Sequence, residues 1–339
     1  LFCLYESKVH TNLKVNCPIY ILNIPKIFSL RNIRKLYYTV KLINLSKTDI
    51  VQTYFFDSTI IGLISGYFSK ANIIISCRRD LGFWHSKKTI IVFRILNFFT
   101  DRILANSDTV KQYANRVEKI PLNQIDVIKN GIHISKFQNL NKLRFSTRNQ
   151  FGLTEKEICV GTIANMSRHV KRLDLFVGLA SVISKLNPHI FFYILGSGKL
   201  LKNLIRLKSE LNCNNNLFFL DQSFDKFSFL SAMDIGVLTS VSEGLSNSLL
   251  EYMARGIPIL ASDIDANREI IRNGQNGLLF KPGNINDIVE NFITLINNDK
   301  LQKFLAKNAR EDVVKFDWAN KSEELCNYYS FLIKEYNSK

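Results

Sequence analysis

Short apolar runs alternate along the chain with longer stretches whose apolar positions recur at helical spacing. In the first half "CPIYILNI", "DIVQTYF", "ANIIISC", "DRILANS" and "IDVIKNGI" each read as a strand closed by polar or turn residues. Amphipathic stretches at 31–46 and 58–69 lie between them, and that alternation predicts a parallel sheet with helices on both faces. Residues 137–157, "FQNLNKLRFSTRNQFGLTEKE", are polar, lack β character and read as a linker. The rhythm then restarts. "ICVGTIAN", "HIFFYILG", "NLFFL", "DIGVLTS" and "IPILAS" are expected strands, with "RLDLFVGLASVISKL" and "GKLLKNLIRLKSEL" as helices between them. "WANKSEELCNYYSFLIKEY" closes the chain as an amphipathic helix. The pattern predicts two βα domains in tandem, with ligand at the carboxyl ends of the strands.

Composition narrows this picture only slightly. The 339 residues suffice for two cores, and 46% hydrophobic with 22% charged residues excludes wholesale disorder. The six cysteines are scattered without a C-x-x-C, which argues against a zinc site or disulfide framework and suggests reduced thiols in a cytosolic setting. The longest apolar run, "TIIVFRILNFF", is too short to span a bilayer and is broken by Arg94. Charge is more telling. The net +16 is concentrated in residues 1–150, with 23 basic against 8 acidic residues, while 151–339 carries 22 against 21. The basic half is therefore expected to face something anionic, such as a lipid surface, a lipid-phosphate substrate or nucleic acid. Arg31, Arg34, Lys35 and Lys41, interleaved with Leu36, Tyr37, Val40 and Leu42, suggest a basic amphipathic helix lying on an anionic membrane. Solvated charges on a helix packed against the sheet would give the same pattern.

The candidate chemistry sits in "SEGLSNSLLEYMARG", where Glu243 and Glu251 stand eight positions apart around a Gly-Leu-Ser-Asn turn. A capping box from Ser248 to Glu251 explains the second glutamate but leaves Glu243-Gly244 unexplained. Because "DIGVLTS" is an expected strand, Glu243, Gly244, Leu245, Ser246 and Asn247 fall on the loop at its carboxyl end. The helix starting near Asn247 offers its free N–H groups as an anion site. Glu243 is then placed for sugar hydroxyls and Glu251 for the two hydroxyls of a ribose, the layout a nucleotide-sugar needs. Lys171, after "ICVGTIAN", is placed to neutralise a departing diphosphate, with Arg168 sharing the role. Gly196 and Gly198 allow backbone to approach a ligand, although a lone G-x-G is weak evidence.

At these residues the chain resembles the retaining, nucleotide-sugar-dependent glycosyltransferases of GT-B fold, of the group 1 or family 4 type. Its E-x7-E motif is Glu243…Glu251 within "SEGLSNSLLEYMARGIPILASD". "VKRLDLF", "YILGSGKL" and "NREIIRNGQNGLLFKPGN" match further segments, and "RRDLGF", "ILANSDTVKQY" and "IDVIKNGI" extend the likeness over nearly the whole chain. The resemblance implies two Rossmann-like domains facing a central cleft. Residues 1–148 would be the acceptor side, residues 149–318 the donor-binding domain, and residues 319–339 a helix crossing back to the first domain. It also implies that the family's opening strand and glycine-rich loop are lacking here. The family's first-domain histidine has no counterpart, since that region reads Cys77-Arg78-Arg79-Asp80. Arg78, Arg79 and Asp80 are the acceptor-side candidates. The arginine that accompanies the lysine is replaced near Asn165-Met166, with Arg168 as substitute. His10, His85, His133, His169 and His189 lack catalytic or metal spacing. Asp263-Ile264-Asp265 copies the metal signature of a different glycosyltransferase fold, but inside a GT-B segment it reads as structural or cleft-lining.

The resemblance thus implies transfer of a sugar from a UDP- or GDP-sugar to a lipid-linked or polysaccharide acceptor with retention of configuration. Lys171 and Glu243 are the catalytic candidates. Arg168, Gly196, Gly198, Gly244, Leu245, Ser246, Asn247 and Glu251 are the donor-binding ones. No metal or cofactor is expected, the nucleotide-sugar being a co-substrate. The expected location is the cytoplasmic face of an anionic membrane, with no nucleic-acid partner, since no such motif accompanies the charge. Two rivals stand beside this reading: an inactive homologue that binds nucleotide-sugars or a partner, and a GT-B nucleotide-sugar epimerase or phosphorylase-like enzyme. The phosphorylase would need a pyridoxal-binding lysine, and none is identified.

Overall fold

The computed structural model describes residues 1–4, 16–24, 32–83 and 85–338, so Arg31 and His10 of the sequence reading lie outside the described residues. The chain divides into two compact units, Leu1–Lys129 with the tail from Glu323, and Asn130–Ser322.

The first unit opens with a two-residue parallel pair, β1 (Phe2–Cys3) and β2 (Tyr20–Ile21). Its main sheet is parallel throughout: β3 (Ile50–Thr53), β4 (Ile73–Arg78), β5 (Arg102–Ala105) and β6 (Ile125–Val127), hydrogen-bonded in that order. Every residue of β4 is buried, because helices cover both faces of a parallel sheet and the strand can be apolar without alternation. On one face Ile74 packs against Ile60 and Leu63 of helix Phe56–Tyr67 and against Leu96 of helix Lys87–Leu96. On the other, Ile73, Ile75 and Leu104 meet Leu332 of the terminal helix, Trp318–Asn337. Helix Asp108–Tyr113 runs on into a π-turn, Ala114–Glu118, which delivers Glu118 beneath the end of β4.

The second unit carries β7 (Ile158–Ile163), β8 (Ile190–Leu195), β9 (Leu217–Leu220), β10 (Ile235–Leu238), β11 (Ile259–Ser262) and β12 (Leu278–Phe280). They form one parallel sheet in the order β12-β11-β10-β7-β8-β9. Numbered within the unit this is 3-2-1-4-5-6, the doubly wound arrangement, with its reversal between β7 and β10. One face is sealed by Phe176, Leu179 and Ile183 of helix Leu173–Leu186 against Phe192 and Phe292. The other is sealed by Leu249, Leu250 and Met253 of helix Asn247–Arg255.

The stretch 137–157 is no linker. It holds helix Asn141–Gln150, and the second unit takes in this helix. Arg148, only 1% exposed, donates to the carbonyls of Ala232, Thr154 and Glu157 and pairs with Asp234 at 2.9 Å. A polar segment is held here by a buried guanidinium whose two terminal nitrogens carry four hydrogen bonds, rather than by an apolar stripe, which is why hydrophobic periodicity did not reveal it.

Candidate active site

At the carboxyl edge of the second unit's sheet, the loops after β7 and β10 meet at the strand-order reversal, where open α/β sheets bind ligands. The loop after β7 tightens into a 3-10 turn, His169–Lys171. The Thr239 hydroxyl donates to the Lys171 carbonyl at 2.8 Å, and the Val241 N–H donates to the Val170 carbonyl at 2.8 Å. These two bonds stitch the loops together. They present the Lys171 ammonium 2.6 Å from Glu243 Oε1. Both side chains are largely screened from water, so this ion pair is stronger than a surface pair of the same length.

The glycine turn after β8 seats against the same β7 loop. Gly196 has φ +154 and Gly198 has φ +151, and a Cβ on either would stand 2.0 Å from the Ala164 carbonyl oxygen or 2.3 Å from the Ser167 nitrogen. Side chains at these positions would push the two loops apart. The contact is sealed by the Met166 N–H donating to the Ser197 carbonyl at 2.9 Å.

Helix Asn247–Arg255 begins at the same edge. Ser246 is its N-cap but makes no side-chain capping bond. Gly244, Leu245 and Ser246 are buried, while Asn247 is exposed and accepts from the Asn130 amide at 2.9 Å. The capping box between Ser248 and Glu251 does not form. Ser248 Oγ donates instead to the Ile163 carbonyl at 3.1 Å, and the Tyr252 hydroxyl accepts from the Ile163 N–H at 3.0 Å. The helix is thereby bolted to the end of β7.

Glu251 is buried, and its Oε1 accepts from Lys226 Nζ at 2.6 Å. Burial pushes the Glu251 carboxyl up, and the neighbouring ammonium opposes that rise. Lys226 opens helix Lys226–Ala232, which is capped by the Asp225 carboxylate on the Ser228 N–H at 2.7 Å. Sequence reasoning missed this lysine, because its partner lies 25 positions away and only the fold joins them. The available signal was a lysine directly behind an Asp N-cap, at the strand edge after "NLFFL".

Arg168 is exposed on the β7 loop. Asp263 and Asp265, the metal-like pair, are both taken by Arg268, Asp263 through two bonds of 2.6 and 2.9 Å and Asp265 at 3.2 Å. Among the described residues no cluster of His, Cys, Asp and Glu has a metal-holding arrangement.

In the first unit the three acceptor-side candidates sit at the end of β4 around a small cavity that Phe55, Gly82 and His85 also line. Arg78 turns inward and pairs with Glu118 at 2.8 Å, and it also donates to Ser76 Oγ and Asn97 Oδ1 at 2.6 and 3.0 Å. Burial would raise the Glu118 carboxyl, but the Arg78 guanidinium outweighs it and holds that carboxyl below its ordinary range. Arg79 is exposed, with its guanidinium over the Tyr54 ring at 5.8 Å. The Asp80 carboxylate accepts from the Gly82 N–H at 2.8 Å and shapes the turn that follows. His85 stacks beside Tyr113, and burial lowers its pKa.

Residues 144–312 match the family described as glycosyl transferases group 1. These residues belong to that family. The match takes in Lys171, Glu243 and Glu251 together. The chain is 25% identical over 301 residues to the UDP-Gal:alpha-D-GlcNAc-diphosphoundecaprenol alpha-1,3-galactosyltransferase of Escherichia coli, covering 86% of this chain and 76% of that protein. It is 30% identical over 197 residues to the poly(ribitol-phosphate) alpha-N-acetylglucosaminyltransferase of Staphylococcus aureus, covering 57% of this chain but only 38% of that one. The structure of HepE from Anabaena in complex with UDP and glucose overlays with a TM-score of 0.83 at 19% identity, over 92% of this chain and 86% of that chain. At that identity the likeness shows the fold, and it is the GT-B fold of two βα units. The glycosyltransferase domain is thus built on the sheet whose reversal point carries the Lys171–Glu243 pair.

Proposed function

We propose that the protein transfers a sugar from a UDP- or GDP-sugar to a lipid-linked or polysaccharide acceptor, with retention of anomeric configuration and without a metal. The observation that carries the reading is the Lys171–Glu243 pair at the β7/β10 reversal, with Glu251 and Lys226 on the same edge. In this reading the departing diphosphate takes the Lys171 ammonium, whose charge offsets what builds up on the leaving oxygen. The first-turn N–H groups of helix Asn247–Arg255 add partial positive charge at the same place. Glu243, released from Lys171, accepts hydroxyls of the donor sugar, and Glu251 accepts those of the ribose. The relatives support the donor and acceptor classes: one is named for a UDP-galactose donor and a diphosphoundecaprenol-linked acceptor, another for a poly(ribitol-phosphate) acceptor. Arg79 and Asp80 are the acceptor-side groups of this proposal.

The donor half is tested at Glu251. Glu251→Ala is expected to weaken UDP binding by about 1.5–3 kcal/mol, the range for hydrogen bonds to a charged group. Calorimetry beside a melting curve reads this, and unchanged affinity would remove Glu251 from the site. A second substitution tests its neighbour. Lys226 opposes the upward push of burial on Glu251, so Lys226→Met raises that carboxyl further. The protonated form loses an acceptor for ribose. UDP affinity of the variant is therefore expected to fall as the pH is lowered at values where the parent protein is still flat. Parallel pH profiles for the two proteins would show that Lys226 does not tune Glu251.

A further inference from the structure

Helix Lys87–Leu96 and the 3-10 turn Asn97–Phe99 that continues it bury Phe93 and Leu96 in the first unit's core. Their outer face should be polar, and it is not. Ile91, Ile95 and Phe98 follow at i, i+4 and i+7, which aligns them on one stripe, and they are 55, 55 and 87% exposed. Lys87 and Lys88 are exposed at the head of the same stripe, and residues 87–99 contain no acidic side chain. The helix start is fixed by a reciprocal capping box between Ser86 and Thr89, so the stripe is presented on a preset element.

The apolar surface continues beyond this helix. Phe99 meets Tyr67 edge-on at 4.8 Å, and Tyr67 meets Phe68 at 5.3 Å, all three exposed. Single exposed apolar residues need no explanation, but a contiguous patch with a basic border marks an interaction surface. The border chooses the occupant. A two-fold contact between copies would bring two basic surfaces together, in a chain already at +16 and with no acidic side chain in 87–99 to answer the lysines. Nucleic acid would satisfy the lysines but offers an aliphatic stripe nothing to enter. An anionic bilayer satisfies both, with phosphates for the lysines and acyl chains for the stripe.

We propose that the outer face of residues 87–99 is a docking surface for anionic lipid bilayer. Ile91, Ile95 and Phe98 enter the boundary between headgroups and acyl chains, and Lys87 and Lys88 rest on lipid phosphates. The proposal does not rest on the donor-site reading. On helix Ile33–Leu45, the candidate raised by the sequence, Leu36, Val40 and Leu42 are half-buried while Tyr37 is 72% exposed, so that helix is the comparison in the test below. No described helix is long and apolar enough to cross a membrane.

Co-sedimentation of the whole chain with vesicles tests it, using phosphatidylcholine alone and phosphatidylcholine with roughly one-third phosphatidylglycerol. Binding is expected to the anionic vesicles only, with release by about 0.5 M salt. Ile95→Ser with Phe98→Ser is expected to cut the partition about tenfold or more with melting unchanged, since both side chains are exposed. Lys87→Gln with Lys88→Gln is expected to cut it roughly 25-fold, at about 1 kcal/mol for each basic residue near the surface. Equal binding to neutral vesicles, or no binding to anionic ones, overturns the proposal. So does loss of binding in Arg34→Gln with Lys41→Gln while both variants of 87–99 bind normally. A dimer, seen by light scattering without vesicles and abolished by the serine variant while vesicle binding stays, would reassign the patch to contact between copies.

Discussion

Lys171→Ala is expected to lower turnover by roughly 10²-fold or more, the loss that follows removal of one preorganised charge-stabilising group. The assay uses whichever donor most stabilises the protein in a thermal-shift panel of UDP- and GDP-sugars, since a bound donor raises the melting temperature by mass action. Preorganisation makes the expected effect large. The Lys171 backbone is pinned by Thr239, and its ammonium is already aimed at Glu243 across the sheet reversal. Little reorganisation is then needed when a diphosphate replaces the carboxylate. Lys171→Arg keeps the charge but not the compact ammonium, and is expected to recover only part of the rate. Turnover is expected to survive EDTA in the parent protein. Turnover of the alanine variant within twofold of the parent would overturn the leaving-group role. Loss in EDTA with rescue by Mn²⁺ would redirect attention to Asp263 and Asp265, which would then have to exchange Arg268 for the ion.

The elements that define the fold were readable because their causes are local. β4, β8 and β10 are buried almost without interruption, so "NIIISC", "IFFYIL" and "IGVL" show as unbroken apolar runs between polar ones. Glu243, Glu251 and Lys171 stood out because they follow such strands at the edge where α/β sheets gather their loops. What stayed hidden depends on partners far along the chain. Lys226 gains meaning only when helix Lys226–Ala232 is laid beside helix Asn247–Arg255. Helix Asn141–Gln150 is too polar to announce itself, and is held by Arg148 reaching carbonyls at 154, 157 and 232. Periodicity reports which face is apolar. It does not report which buried cation has found its acceptors.

Arg78 is the sharpest such instance, and Arg78→Met is expected to destabilise the first unit by about 3–5 kcal/mol near neutral pH, the cost of stranding one member of a buried ion pair. The two side chains are 7 and 1% exposed, and Glu118 would lose the guanidinium that donates to both of its oxygens, keeping only Asn97. The pH dependence distinguishes this from simple loss of packing. In the parent protein Glu118 sits below its ordinary value. Its contribution is therefore present above the unfolded carboxylate range near 4.3 and is lost only as the pH falls through the lower folded value. Between neutrality and pH 5 that contribution is flat. In the variant the opposing charge is gone and burial dominates, so the Glu118 carboxyl rises above its unfolded value. Protonation then relieves the stranded charge, and the gap between variant and parent narrows as the pH is lowered. Urea unfolding at neutral pH and at pH 5 reads the difference directly. A gap of the same size at both values would mean that Glu118 is not the group left stranded, and a gap under about 1 kcal/mol would leave Arg78 available to an acceptor rather than committed to the core.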